Sequence, residues 1–142
     1  MKISDILRHK GSTVVTIGPG DAVTDLLARL AEHNIGAIVV VDRDAVVGIV
    51  SERDIVRALA DQGAEALTKP LSHVMTRKVT TCTEADTVGM IMEQMTSGKF
   101  RHVPVVEEDA LVGIISIGDV VKHRLWEMEQ ESAALRDYIQ TA

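Results

Sequence analysis

Apolar residues recur along this chain in two rhythms. At Val23, Leu26, Leu27 and Leu30 the spacing is i, i+3, i+4, i+7, the stripe of an amphipathic helix, and Val88, Ile91, Met92 and Met95 repeat it. Two short β-branched runs follow each stripe, divided by a charged turn. These are residues 37–41 and 46–50 around Asp42, Arg43 and Asp44, then 103–106 and 111–115 around Glu107, Glu108 and Asp109. Runs this short predict strands, and each pair predicts a hairpin. A further strand is predicted ahead of each helix, at 14–17 and 79–82, with Asp21 and Asp86 at the helix entrance, where a carboxylate suits the dipole. A second helix follows each hairpin, over 55–60 and from 120 onward. Each half therefore reads strand, helix, strand, strand, helix.

The two halves are also alike residue by residue. Residues 14–56 lie without a gap on 79–121, and the pairs Asp21/Asp86, Gly48/Gly113, Ser51/Ser116 and Asp54/Asp119 are among the identities. Helical lead-ins over 3–7 and 71–75 precede the repeats, and three extra residues sit near 11–13 in the first half. The expected organisation is a first repeat with its lead-in over 1–60, a linker over 61–70 marked by Gly63 and Pro70, a second repeat over 71–124 and a helical tail over 125–142. A half of about 60 residues makes a marginal core by itself, so the halves are expected to pack on each other.

The core must be aliphatic, because the chain has one Phe, one Trp and one Tyr but is 46% hydrophobic. A net charge of −6 argues against nucleic acid as a partner while leaving room for a small anion held by local positive charge. Cys82 is the single cysteine, so no intrachain disulfide forms, and it reads as a small buried hydrophobe. The five histidines lack partners at metal-ligand spacing, so no metal is expected. Residues 1–10 lack the apolar run of a signal peptide, and the run 37–41 is far short of the roughly 20 residues of a membrane span. A cytoplasmic protein with no membrane partner is expected.

Chemistry concentrates at Ser51-Glu52-Arg53-Asp54 and Ser116-Ile117-Gly118-Asp119, each following a strand and opening a helix. Ser-x-x-Asp is the capping-box pattern, and capping alone accounts for the spacing. The same carboxylate can accept hydrogen bonds from a cis-diol such as ribose, while free amides at a helix start attract phosphate. No nucleophile with its base, no metal cluster and no glycine-rich phosphate loop accompanies these residues, which argues against an enzyme.

Val-Gly-Ile-Val-Ser-Glu-Arg-Asp at 47–54, Val-Gly-Ile-Ile-Ser-Ile-Gly-Asp at 112–119 and Arg-His-Val-Pro-Val-Val at 101–106 resemble the tandem cystathionine-β-synthase-type (CBS) domain pair, or Bateman module. The resemblance covers residues 3–124. It implies an α/β fold of the α+β kind, with two β-α-β-β-α repeats packed through their sheets about a pseudo-two-fold axis and a C-terminal helix beyond them. It further implies a stand-alone regulatory protein that binds an adenine nucleotide (AMP, ADP, ATP or NAD(H)) between the repeats, without a catalytic cofactor, and signals to an effector protein.

Carried across, the resemblance makes Asp54 and Asp119 ribose ligands, with Ser51 and Ser116 beside ribose or phosphate. It sets Val15, Thr16, Ile35, Gly36 and Ala37 around one adenine and Thr80, Thr81, Phe100, Arg101 and His102 around the other. Arg101 and His102 are the leading candidates for phosphate contacts, followed by Arg53, Arg57, Lys122 and Arg124. Because Gly118 stands where Arg53 does and Val39 where Pro104 does, the two sites are expected to be unequal. Rival readings are a ligand-free dimerisation module and a sensor of S-adenosylmethionine.

The tail carries its own pattern. Val121, Leu125, Met128, Ser132, Leu135 and Ile139 alternate spacings of 4 and 3, the seam of a coiled coil. Such a helix needs a cover, either by folding back on its own module or by pairing with a second copy in a homodimer, with Trp126 partly shielded at the interface.

Overall fold

The computed structural model describes residues 1–141; the expected tail assignment for Ala142 lies outside the described residues. In the first half, β1 (Thr16–Ile17) leads through α2 (Val23–His33) to the hairpin β2 (Ala37–Asp42) and β3 (Ala45–Ser51), and α3 (Glu52–Gln62) follows. β1 pairs parallel with β2, and β2 pairs antiparallel with β3, so the predicted parallel crossover is present. The second half repeats this with α4 (Val88–Gly98), β4 (His102–Glu107) and β5 (Ala110–Ser116), then α5 (Ile117–Thr141). A helix α1 (Ile3–Lys10) precedes both.

The duplication extends to local geometry. Both hairpins close in two residues, Arg43-Asp44 and Glu108-Asp109, all with positive φ as the twist of a tight hairpin demands. Both carry a register shift at the same place, between Val40 and Val41 and between Val105 and Val106. α2 and α4 each end on a left-handed residue, Asn34 and Lys99. β3 lies against β5, so the sheets meet through their hairpins.

Three expectations need correction, and one open alternative is decided. The strand predicted over 79–82 shrinks to one parallel bridge, Cys82 to Val105, in which Cys82 N donates to Pro104 O and Val106 N to Cys82 O. Pro104 is consequently inside a three-strand arrangement, tolerated because the single bridge on that edge uses its carbonyl and asks nothing of its nitrogen. Met92 in the α4 stripe is 38% exposed, leaving Val88, Ile91 and Met95 as the buried face. The linker over 61–70 is ordered: α3 runs to Gln62, a 3-10 helix spans Gly63–Thr68, Ala66 is fully buried and Pro70 bridges Ala22. The tail does not fold back; it continues α5 as one helix whose residues 128–141 are exposed throughout.

The lead-ins cross over. α1 belongs to the core of the second half, where Ile3, Ile6 and Leu7 pack with Cys82, Ile91, Val103, Ile115 and Val120. Ile3 N donates to Asp86 O and Val88 N to Met1 O, tying the chain start to the head of α4. Leu71, Val74 and Met75 reciprocate in the core of the first half, with Val23, Leu26, Ile38 and Val50. The crossings pass close to the paired glycines Gly48 and Gly113, and at Gly48 a backbone oxygen is among the near atoms. A Cβ on Gly48 would lie 2.7 Å from Met75 Sδ and 3.0 Å from Thr76 O, and one on Gly113 would lie 2.7 Å from Leu7 Cδ2. Among the described residues no helix is long and apolar enough to cross a membrane.

Candidate functional site

Ser51 ends β3 and caps α3. Its Oγ accepts from Asp54 N at 3.4 Å, and Asp54 Oδ2 accepts from Ser51 N at 2.9 Å and Ser51 Oγ at 3.2 Å. The capping box is therefore real, and it does not exhaust the carboxylate. Thr76, delivered by the crossing lead-in, donates from Oγ1 to Asp54 Oδ1 at 3.0 Å and pairs its backbone with Ile49. Oδ1 keeps a free lone pair, and Thr76 Oγ1, its proton spent, keeps its own. Two neighbouring acceptors of this kind suit adjacent hydroxyls.

Around them lies a cleft of about 730 Å³ that joins the repeats. The first repeat contributes Gly36, Ile49, Ser51, Glu52, Arg53, Asp54, Val56 and Arg57; the second contributes Thr76, Lys78, Val79, Thr80, Lys99, Phe100, Arg101 and His102. The set Thr80, Phe100, Arg101 and His102 thus faces the first repeat's Asp54. Five basic side chains (Arg53, Arg57, Lys78, Lys99 and Arg101) border this cleft against two carboxylates, in a chain whose net charge is −6. Arg53 Nη1 donates to Lys99 O at 3.1 Å, bracing one repeat on the other.

The remaining expected residues lie elsewhere. Val15 and Ile35 pack on the first core, Ala37 is buried, and Thr16 O accepts from Arg29. Thr81 is exposed outside the cleft, and Cys82 is buried in the second core with its thiol pushed up to about 12 by desolvation, then by Asp86 and Glu107. The first amide of each helix is not free for phosphate. Glu52 N donates to Gly36 O at 3.0 Å, and Ile117 N to Arg101 O at 2.8 Å.

Asp119 is capped like Asp54, its Oδ2 accepting from Ser116 N at 2.8 Å, but the lead-in brings a cation rather than a hydroxyl, and it binds that same oxygen. Lys10 Nζ donates to Asp119 Oδ2 at 2.6 Å and to Ile114 O at 2.8 Å. Burial would raise the Asp119 carboxyl, but the Lys10 and Ser116 hydrogen bonds outweigh it and hold the group below its usual range. Around Asp119 and Lys10 a separate cavity of about 560 Å³ opens between α1 and α5, lined by Ile6, His9, Lys122, His123 and Trp126. Arg124 is turned to Glu127 at 3.3 Å.

His102 stands between the two centres. It pairs with Ser116 across its own hairpin, and a Cβ on Gly36 would lie 3.8 Å from its Cε1. Burial first, then the Lys10 charge, lowers its pKa, leaving a neutral imidazole where sequence reasoning expected a phosphate cation. Sequence reasoning also missed Thr76, Lys78 and Glu52. The signal was the lead-in itself, Thr76-Arg77-Lys78, whose crossing to the other repeat no spacing reveals. Among the described residues no group of His, Cys, Asp and Glu could hold a metal.

The family model of the CBS domain matches residues 3–61 and again 71–125. The chain belongs to the CBS-domain family, as a tandem pair. It is similar to the CBS-domain containing protein ATU1752 from Agrobacterium tumefaciens, at 48% identity and a TM-score of 0.85 over 87% of this chain and 99% of that one. The CBS domain pair of protein MJ0100, solved in complex with 5'-methylthioadenosine and S-adenosyl-L-methionine, is 28% identical with a TM-score of 0.78 over 91% and 98%. A CBS domain protein from Pyrobaculum aerophilum complexed with AMP is 29% identical with a TM-score of 0.75 over 84% and 89%. CBS pairs are regulatory modules that take adenosyl ligands.

Proposed function

We propose that this protein is a regulatory adenine-nucleotide sensor whose ligand sits in the Asp54 cleft and whose occupancy is passed to an effector protein. The observation that carries the reading is the charge inversion of that cleft, five basic side chains in an acidic chain, beside the Asp54 and Thr76 acceptor pair. Ribose hydroxyls donate to Asp54 Oδ1 and Thr76 Oγ1, while the phosphate meets Lys78, Arg57 and Arg101. The base lies against Phe100, Val79 and Ile49. S-adenosylmethionine would bring a sulfonium cation to the basic side of the cleft, so AMP, ADP, ATP or NAD(H) fits better than that ligand.

A ligand held by Asp54 from one repeat and Arg101 from the other would tie the repeats together, which is how occupancy could alter an outer surface. Two copies pair through α5, and the free buried thiol of Cys82 suits a reducing cytoplasm. Isothermal titration with AMP, ATP, NADH and S-adenosylmethionine tests the ligand. Saturable binding of a phosphorylated adenosine that weakens with added salt is the expected result, and no heat from any of the four would leave the dimerisation-module reading standing.

A further inference from the structure

We infer that α5 pairs with α5 of a second copy as a parallel, in-register coiled coil, specified by two kinds of ion pair between the helices. This rests on the reading that the chain forms a homodimer, and adds the surface, the direction and the residues that select it. Val121, Leu125, Met128, Leu135 and Ile139 remain 49%, 56%, 53%, 60% and 65% exposed along one side of α5. The module side of the same helix is different: Val120 and His123 are buried and Glu127 is half-buried. At 100° per residue the seam lies well over a quarter-turn from that buried side, so a second helix can reach it without displacing the module.

Charge chooses the occupant and its direction. With Leu125, Ser132 and Ile139 at position a and Val121, Met128 and Leu135 at d, the flanking positions are Arg124 and Glu131 at g and Glu129 and Arg136 at e. A parallel pair sets each g residue beside the e residue five places on in the other helix. Arg124 then meets the partner's Glu129, and Glu131 meets the partner's Arg136. Both contacts are opposite in sign, and symmetry doubles them. An antiparallel pair that keeps the same apolar layers sets Glu129 on Glu129, Glu131 on Glu131 and Lys122 on Arg136, all alike in sign. The complementarity of this helix is thus to itself, in one direction. Arg124 is 52% exposed and holds only its own Glu127 at 3.3 Å, so it can turn outward.

The test uses the full chain. Ser132→Cys places a thiol at an a position that faces its own copy only in the parallel register, and mild oxidation should link most of the protein into covalent dimers, Cys82 staying buried and unreacted. Glu131→Arg should raise the dimer dissociation constant about tenfold by sedimentation, Arg136→Glu likewise, and the double exchange should restore it. Circular-dichroism melts of each variant confirm that the repeats stay folded. A dimer that neither cross-links at 132 nor responds to the charge exchanges overturns this pairing and leaves the homodimer intact. A parent chain that sediments as a monomer at micromolar concentration overturns both.

Discussion

Lys10 and Asp119 stand 109 positions apart in the chain and 2.6 Å apart in space, and their ion pair makes the two halves of this duplicated protein chemically different. Where Asp54 meets a hydroxyl from the crossing lead-in, Asp119 meets an ammonium. A ribose at Asp119 would share the carboxylate with that cation and find only Oδ1 open. One nucleotide per chain is therefore expected, and Lys10→Gln should raise the stoichiometry toward two while costing about 1 kcal/mol of stability, the scale of a partly exposed pair. Titration calorimetry paired with thermal melts reads both, and unchanged stoichiometry would show that Lys10 does not close the second site.

Asp54→Asn separates capping from binding. Asparagine retains an acceptor for the α3 start, so melting should shift little, while loss of the charged acceptor beside Thr76 should weaken nucleotide binding roughly 10- to 100-fold, the scale of one or two charge-assisted hydrogen bonds. Thr76→Val should weaken it as well. Full affinity in both variants would remove ribose from this corner of the cleft.

Arg101 carries charge without burial, since it lines the cleft from an exposed position. Arg101→Ala should therefore reduce affinity for AMP by about tenfold and for adenosine hardly at all. Equal losses for the two ligands would mean that its side chain packs on the base.

His102 predicts a pH dependence whose sign follows from its burial and from Lys10. Its folded pKa is lowered, so the unfolded chain binds the proton more readily, and stability falls as pH drops through the ordinary histidine range near 6.5. Asp119 acts in the opposite pH region. Its folded pKa is below the usual carboxylate value, so its contribution is present above about pH 4 and is lost only as pH falls through the lowered value. Melting temperatures measured from pH 7.5 to 5 should decline for the parent and decline less for His102→Gln. Parallel curves would assign the slope to other groups.

The sequence disclosed the repeat, the hairpins and the helices because each rests on local rules: a stripe such as Val23, Leu26, Leu30, a two-residue charged turn, a serine ahead of a helix. It also singled out Asp54 and Arg101, through their motifs, as candidates, and the structure brings the two to one cleft. What it withheld was which half each lead-in would join. Leu7 and Met75 are equally apolar whether they cover their own repeat or the other, and nothing in their spacing says which. The grouping of Thr80, Phe100 and His102 with Asp54, and of Lys10 with Asp119, depends on that choice. The order of residues 61–70 was hidden for a related reason: Ala66 is small enough to read as linker, and it is buried only because α2 and α3 converge there.

The exchanged lead-ins also govern what the chain can survive. Removing residues 1–10 would strip Ile3, Ile6 and Leu7 from the far half while leaving the near half's own core complete, so damage at the start of the chain would be felt after residue 82. A separated second half would likewise abandon Leu71 and Met75 in solvent. Each of the two like units keeps a piece of the other, so neither is complete when cut out alone.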